Sequence, residues 1–552
     1  MKRRDFVKYG AALGTAFAAS DVGALLTEQS SSAAAPPAAP PASGGDLAVV
    51  NAKILTLDVK RPRAEAALVR AGRIALVGST QDVRAAAGRA QVFDAAGRTV
   101  VPGFVDAHCH MEVATSAAAY MVSVHTPPHT SLAGIKETLR KKVASTPKGG
   151  WIIGRGSFNL ENNVTEKRLF TREDLDAVSQ DHPIVLFSGR HVTMANTAGF
   201  KGMHLWERDS TIERGTIVYR DEAGVPTGLA TEVYYHLPAY SVDEVKRAIK
   251  THVRDMFTAK GTTTVYSVPF SANDIRANLE LQRAGELPLR IRNYYHVPHT
   301  ISFEGLLGSG LISGTGNDMW RFGGMKLFVD GLGGDGRGNR LADLKWTQEA
   351  LNHMVTGATA EGIQVWMHIA SDQAEQMAVN AVTEARRRVS RPMIHRIEHG
   401  GSGGSIERLK QLRDLGIRPS ITPNRGRAGG RGGPRYRTLV QENYHPAVIT
   451  DTTGTTLGSS DVMFKIACIA ASVEEGGGAQ KEETLPFEDA LRLFTLWNAR
   501  VGYEEADKGS IEVGKLGDFA VLSRDPLAGS PARLFDTKVQ TTILGGSVVF
   551  QQ

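Results

Sequence analysis

Apolar and polar positions fall into two textures along the chain. Residues 47–103 alternate with a period of two: LAVVNAKILTLD, AALVRAGRIALVGS and AQVFDAAGRTVVPG each break at Gly or Asn, the pattern of short strands joined by turns. The texture returns at the other end in GSIEVGKLGDFAVLS and VQTTILGGSVVF, which predicts one small β-sandwich assembled from both chain ends, 46–103 and 503–552. Between them, over 104–502, apolar strands alternate with helix-like segments such as 244–258 and 373–388, the βαβ signature of a parallel sheet. Eight strands are expected, at 103–109, 263–268, 289–296, 324–329, 363–368, 394–398, 417–422 and 456–460. The predicted fold is α/β, a (β/α)8 TIM barrel. Residues from about 112 to 260 are too many for one crossover and form an insertion.

The first 45 residues stand outside this pattern. A basic start, KRRDFVK, precedes a short apolar stretch, YGAALGTAFAAS, with small residues at Ala16, Ala18 and Ala19. That describes a signal peptide over 1–28, too short to span a bilayer, and Arg3-Arg4 before Asp5-Phe6 resembles a bacterial twin-arginine signal. Export through the twin-arginine machinery to the periplasm or beyond is therefore expected. Residues 29–45, rich in Ala, Pro and Ser, read as a linker. No other segment is apolar enough to be transmembrane. The 552 residues, 41% hydrophobic and 22% charged, have ordinary globular composition; a net charge of +6 is weak at this length, and no recognition-helix or stacking pattern points to nucleic acid. Self-association into a homo-oligomer is left open. Cys109 and Cys468 are the only cysteines, which excludes a disulfide framework and a Cys-rich zinc or iron–sulfur site. Any metal must be held by His, Asp, Glu or Lys.

Barrel enzymes place their working groups at the C-terminal ends of the strands. The first strand delivers His108 and His110, two residues apart and so on one face, with Cys109 turned toward the helices. The fourth carries Lys326, the fifth ends at His368, the sixth at His399, and the expected eighth at Asp461. A lone His-x-His is weak; four further strand ends that each supply a ligand type make a divalent-metal site the stronger reading.

The segments PGFVDAHCH, KLFVDG, HIASD, HRIEH and SSD together resemble the amidohydrolase superfamily, and more specifically its family-3 branch, which includes enzymes that deformylate N-substituted formamides. AEAALVRAGRIALVGS and GSIEVGKLGDFAVLSRDPL extend the resemblance to both ends of the chain. The resemblance implies that His108 and His110 bind a first ion, that His368 and His399 bind a second, and that a carbamylated Lys326 bridges them. Asp461 would bind metal and carry the catalytic proton. A lysine ion-paired with Asp330 beside a single metal is the alternative for Lys326. Zinc is the expected ion, one or two per chain, because His-rich ligation suits it and no redox step is needed. Such an ion lowers the pKa of water toward neutrality and polarises a carbonyl, and a carboxylate then moves the proton.

The resemblance also implies that His191, in SGRHVTMANTAGF, lines the substrate site as a hydrogen-bond donor; a structural histidine is the alternative. Tyr266 and His296 lie near strand ends and are expected to contact substrate, while Glu232 and Asp372 are read as structural and His395 as a core or supporting residue. Departures from the family surround the pocket: Tyr266-Ser267 stands where His-Asp is common, Ser157-Phe158-Asn159 where an acid is common, and NRGRAGGRGGPRYR follows the seventh strand. Arg425, Arg427, Arg431, Arg435 and Arg437 in that loop could grip an anionic substrate group, with Arg435 and Arg437 the preferred candidates, or could simply be solvated. The expected reaction is hydrolysis of a C–N bond in a small amide, N-acyl or carbamate compound. An esterase, lactonase or cyclic amidase on the same site is the alternative, and a non-catalytic periplasmic binding protein a more distant one.

Overall fold

The computed structural model describes residues 45–552 except 190, 209–215, 332, 335–339, 342–343, 401–404, 426–433 and 455–457. The expected signal and nearly all of the linker lie outside the described residues, as do Arg427 and Arg431. Eight parallel strands form the central sheet: β1 Phe104–Cys109, β2 Thr262–Ser267, β3 Arg290–His296, β4 Trp320–Phe328, β5 Gln364–His368, β6 His395–Glu398, β7 Ile417–Ile421 and β8 Ala447–Val448. Each pairs with the next in chain order, so the sheet curls into a nearly closed barrel.

The seam between β1 and β8 closes through side chains as well as backbone. Asn498 Nδ2 donates to the carbonyls of Val105 and Val448 at 2.7 and 2.6 Å, and the Val448 N–H donates back to Asn498 Oδ1 at 3.0 Å. Nearer the mouth, the Asp451 N–H donates to the His108 carbonyl and the His110 N–H to the Thr452 carbonyl, both at 2.9 Å.

Seven strands stand where the alternation places them. The eighth does not: it lies at 447–448, and residues 458–460 of the expected strand form a turn. The run Ala447-Val448-Ile449-Thr450 after Pro446, three of its residues β-branched, fits a buried strand better than Gly458-Ser459-Ser460, where no apolar side chain is available to face a core.

Helices cover the barrel. Three are α1 Met111–Tyr120, α2 Val242–Met256 and α3 Ala272–Ala284. The others used below are α4 Gln348–Ala360, α5 Asp372–Arg388, α6 Ile406–Asp414 and α7 Val462–Ala470. α2 starts with a capping box, Ser241 with Glu244, and buries Val245, Ala248, Ile249 and Val253, one stripe at helical spacing. α5 is capped by Ser371, buries Met377, Ala378, Ala381, Val382 and Ala385, and ends in Arg386–Arg388, where cations suit the helix dipole. Each fully buried Val, Leu or Met in this layer contributes about 1.5–3 kcal/mol. Cys109 joins that layer with Val265, Met325 and Val365, as its place between two inward histidines requires. Gly324, at φ +150°, is needed where it stands: a β-carbon there would lie 2.1 Å from the Gln364 carbonyl oxygen of β5.

Strands from both chain ends form two further sheets, one in the order 73–78, 66–70, 47–50, 91–94, the other in the order 547–551, 539–544, 519–522, 99–102, 53–55, 63–64. They share one core that includes Val49, Ile54, Val69, Val100, Phe519 and Ile543. Residues 122–231 build a separate six-stranded sheet. No helix among the described residues is long and apolar enough to cross a membrane.

Candidate active site

The histidines at the strand ends are held by their outer nitrogens. His108 Nδ1–H donates to Glu398 Oε2 at 2.7 Å, and both side chains are fully buried. Arg396 Nη2 donates to the same oxygen at 2.9 Å and its Nη1 to the Ala107 carbonyl at 2.8 Å, while its guanidinium lies 3.7 Å over the Trp366 ring. Trp366 stacks on Tyr294, so an aromatic and guanidinium floor fills the barrel under the site. His110 Nδ1 is 3.1 Å from the Val268 carbonyl. These contacts turn the Nε2 atoms of His108 and His110 toward the mouth, the outer-contact arrangement that metal-binding imidazoles require.

His368 ends β5, and His399 follows β6 at φ +70° with its N–H on Ser420 Oγ at 3.1 Å. Ring centroids are 5.2 Å apart for His108–His110, 5.6 Å for His108–His399 and 4.9 Å for His368–His399. Asp451 follows β8, also left-handed at φ +52°, and brings Oδ1 to 3.7 Å from His110 Nε2 and 4.0 Å from His108 Nε2. One donor atom each from His108, His399 and Asp451 lies within 4.8 Å of the others. Lys326, 1% exposed, stands in register between His296 of β3 and Trp366 of β5.

Burial, with help from Lys326 and the neighbouring imidazoles, holds His108 and His368 well below the ordinary histidine range, and burial followed by Lys326 brings His399 to about 3. All three are therefore neutral at pH 7, the form that binds a cation. The Nε2 atoms of His108 and His368 are buried without a hydrogen-bond partner. A buried polar atom left in that state is costly unless a ligand satisfies it. Neutral imidazoles, an aspartate and inward orphaned nitrogens fit a divalent ion, held by His108, His399 and Asp451 with His110, His368 and Lys326 around it.

Asp461, expected at the metal, has a different place. It caps α7, where Oδ1 accepts from the Phe464 N–H at 3.1 Å, and Oδ2 lies 3.7 Å from Lys260 Nζ. The eighth strand ends twelve residues earlier than expected, so Asp451 is the acid that its end presents. Tyr266 is fully buried below the site; its hydroxyl donates to Glu504 Oε2 at 2.8 Å, out of reach of a substrate at the mouth. His296 packs against Phe328 and hydrogen-bonds the Tyr235 hydroxyl in a pocket that His299 and Lys345 also line. His191 reaches the mouth from the inserted sheet, its ring 5.5 Å from that of His368. Asn196 caps the next helix, its Oδ1 accepting from Ile184 and Gly199 N–H. Arg437 donates to the Thr484 carbonyl and Arg435 precedes the short helix Tyr436–Gln441, while Arg425 lies 4.0 Å over Phe535. Asp330 accepts from Ala370 N–H, Ser371 N–H and Ser371 Oγ, so it fixes the turn after β5. His395 bonds Thr359 and the Val365 N–H in the helix layer, a core residue.

Sequence reasoning missed Asp451 and Glu398. Asp451 had a readable signal, an acid closing the β-branched run AVIT; Glu398 sits in the quoted HRIEH, but its partner is 290 residues away.

The model of the amidohydrolase family matches residues 91–550. The N-substituted formamide deformylase of Arthrobacter pascens is 27% identical over 92% of this chain and 98% of its own. The putative amidohydrolase YtcJ of Bacillus subtilis is 25% identical over 90% and 98%. An uncharacterised metal-dependent hydrolase from Pyrococcus horikoshii superposes with a TM-score of 0.67 at 21% identity, covering 88% of this chain and 99% of that one. With a barrel of that type, a His-and-Asp cluster at its mouth and a family match over most of its length, this chain belongs to the amidohydrolase family.

Proposed function

We propose that this metal-dependent hydrolase cleaves the C–N bond of a small amide, N-acyl or carbamate compound. The observation that carries the reading is the cluster of His108, His399 and Asp451 donors within 4.8 Å, among imidazoles kept neutral by burial. A divalent ion, for which zinc is our choice, acidifies water and polarises a carbonyl when bound there. Asp451, whose Oδ1 faces His108 and His110 at 4.0 and 3.7 Å, would accept the proton of the attacking water and return it to the departing nitrogen, the pairing of roles that general acid–base catalysis needs. Arg396 and Glu398 keep His108 from rotating during the cycle. His191 contacts the substrate from the opposite side. Lys326 carries a carbamate in this reading, since a protonated lysine is no ligand for a cation. We read residues 1–28 as the export signal of a periplasmic or secreted enzyme, a reading supported by Arg3-Arg4 and the short apolar stretch.

The test is a product screen by mass spectrometry. Metal-replete protein meets N-acyl amino acids, formamides, carbamates, lactones and esters, with and without chelator. Chelator-sensitive release of an amine is the expected outcome. Cleavage confined to esters or lactones moves the assignment to that bond class, and no cleavage of any class by metal-replete protein counts against the reading.

A further inference from the structure

The inserted segment brings to the barrel mouth a carboxylate that lies outside the metal cluster. Glu232 follows the strand Pro226–Thr231 at φ +56°, a region that a residue with a β-carbon disfavours. Backbone contacts hold it there: its N–H donates to the His191 carbonyl at 3.2 Å, and its carbonyl accepts from Thr216 Oγ1 at 2.8 Å. Strain of this kind persists where the surroundings over-determine it, commonly at working sites. The Glu232 side chain is 5% exposed. Its Oε1 is 2.6 Å from His191 Nδ1 and its Oε2 is 4.0 Å from Lys345 Nζ. The carboxylate is thus the accepting partner of the imidazole, with the Lys345 ammonium on its other oxygen. Lys345 in turn hangs from the end of β4, its N–H on the Val329 carbonyl at 2.9 Å. Glu232 thus joins the insertion to the strand that carries Lys326.

In a neutral ring, an acceptor on Nδ1 selects the tautomer with the proton on Nδ1, and Nε2 is then an acceptor, the reverse of the donor role that the family resemblance implies. We infer that Glu232 is a positioning residue that holds His191, whose ring lies 5.5 Å from that of His368, in this tautomer, so that Nε2 accepts a hydrogen bond from the N–H of a substrate amide. The inference rests on the hydrolase reading above and narrows it. The favoured substrate has an N–H on its scissile nitrogen, and the N-methylated amide or the matching ester lacks the donor that His191 reads. A site built to bond an N–H leaves a buried acceptor unpaired when the donor is missing, which is how such sites discriminate.

The test uses matched pairs of N–H and N-methyl amides with full-length, metal-loaded protein, in the wild type, E232Q, H191Q and the double variant. A glutamine at 232 can donate to Nδ1 and so invert the tautomer, the reason an amide fails in place of a histidine-orienting carboxylate. Wild type should favour the N–H amide by about 10- to 100-fold in kcat/KM. Each single variant should reduce that preference to about 3-fold or less, and the double variant should lose no more than either single one, because Glu232 acts through His191. Metal content should stay unchanged. A preference that survives E232Q, or losses that multiply in the double variant, overturns the inference. If wild type hydrolyses nothing, the functional reading fails, and the tautomer is read separately by NMR of 15N-histidine-labelled protein. The ring signal absent from H191Q should be the Nδ1–H form in wild type and should change in E232Q; an Nε2–H form in wild type overturns the inference.

Discussion

Asp451 and Asp461 lie ten residues apart, one after β8 and the other after a turn, yet they predict opposite outcomes when changed to asparagine. Asn at 451 keeps the shape but removes the charge facing His108 and His110, at 4.0 and 3.7 Å, and the ability to take a proton. A positioned acid or base contributes about 10²–10⁴-fold to rate, or about 2.7–5.5 kcal/mol of barrier at 1.36 kcal/mol per tenfold. D451N should lose kcat/KM by at least that range, because metal binding weakens with it. Asn at 461 still caps a helix as well as Asp does, and the 3.7 Å approach to Lys260 is a partly exposed pair worth about 0–1 kcal/mol. D461N should therefore retain kcat within about 2-fold. The assay measures kcat/KM on the substrate class found by the product screen, together with metal per chain by atomic emission, for both variants. An inactive, metal-poor D461N beside an active D451N would refute the placement of β8 and everything built on its end.

Two further outcomes follow from buried carboxylates. E398Q should weaken metal binding about 10- to 100-fold in a chelator competition, because Glu398 sets the orientation of His108; unchanged affinity would show that Arg396 and the backbone suffice. E504Q should cost about 3–5 kcal/mol and lower Tm, since Arg292, Arg321 and Lys508 would lose their buried partner. Burial would raise Glu504, but those three cations hold it at about 2, below its unfolded value of 4.5. Its contribution is thus present above pH 4.5 and lost as pH falls from 4.5 toward 2, so the Tm gap between wild type and E504Q should close over that window. A gap that stays constant down to pH 2 would contradict the assignment.

The histidines of the candidate site were legible because strand alternation and barrel geometry put strand ends at the mouth: His108 and His110 stand two apart at the end of one strand, and His368 and His399 end or follow two others. Asp451 was not, because β8 contributes only Ala447 and Val448 to the ladder and the longer stretch ending in Asp461 imitates a strand end. The supporting groups were hidden for another reason. Glu398 with His108, Glu232 with His191 and Asn498 with Val105 are separated by 290, 41 and 393 residues, and no periodicity reports pairings at such distances. Tyr266 shows the limit of position alone: it lies near a strand end, but its hydroxyl turns inward to Glu504.

The Asn498 clasp implies an order of assembly. β1 carries His108, and the turn after β8 carries Asp451, so the site's two halves meet across the one seam of the barrel that hairpins and crossovers cannot pre-pair. The side chain that bridges that seam is made some fifty residues after β8. The clasp predicts that the acid side of the centre closes last, and that a polypeptide cut before residue 498 fails to bring Asp451 against the histidines and lacks activity, which an assay of that truncation checks.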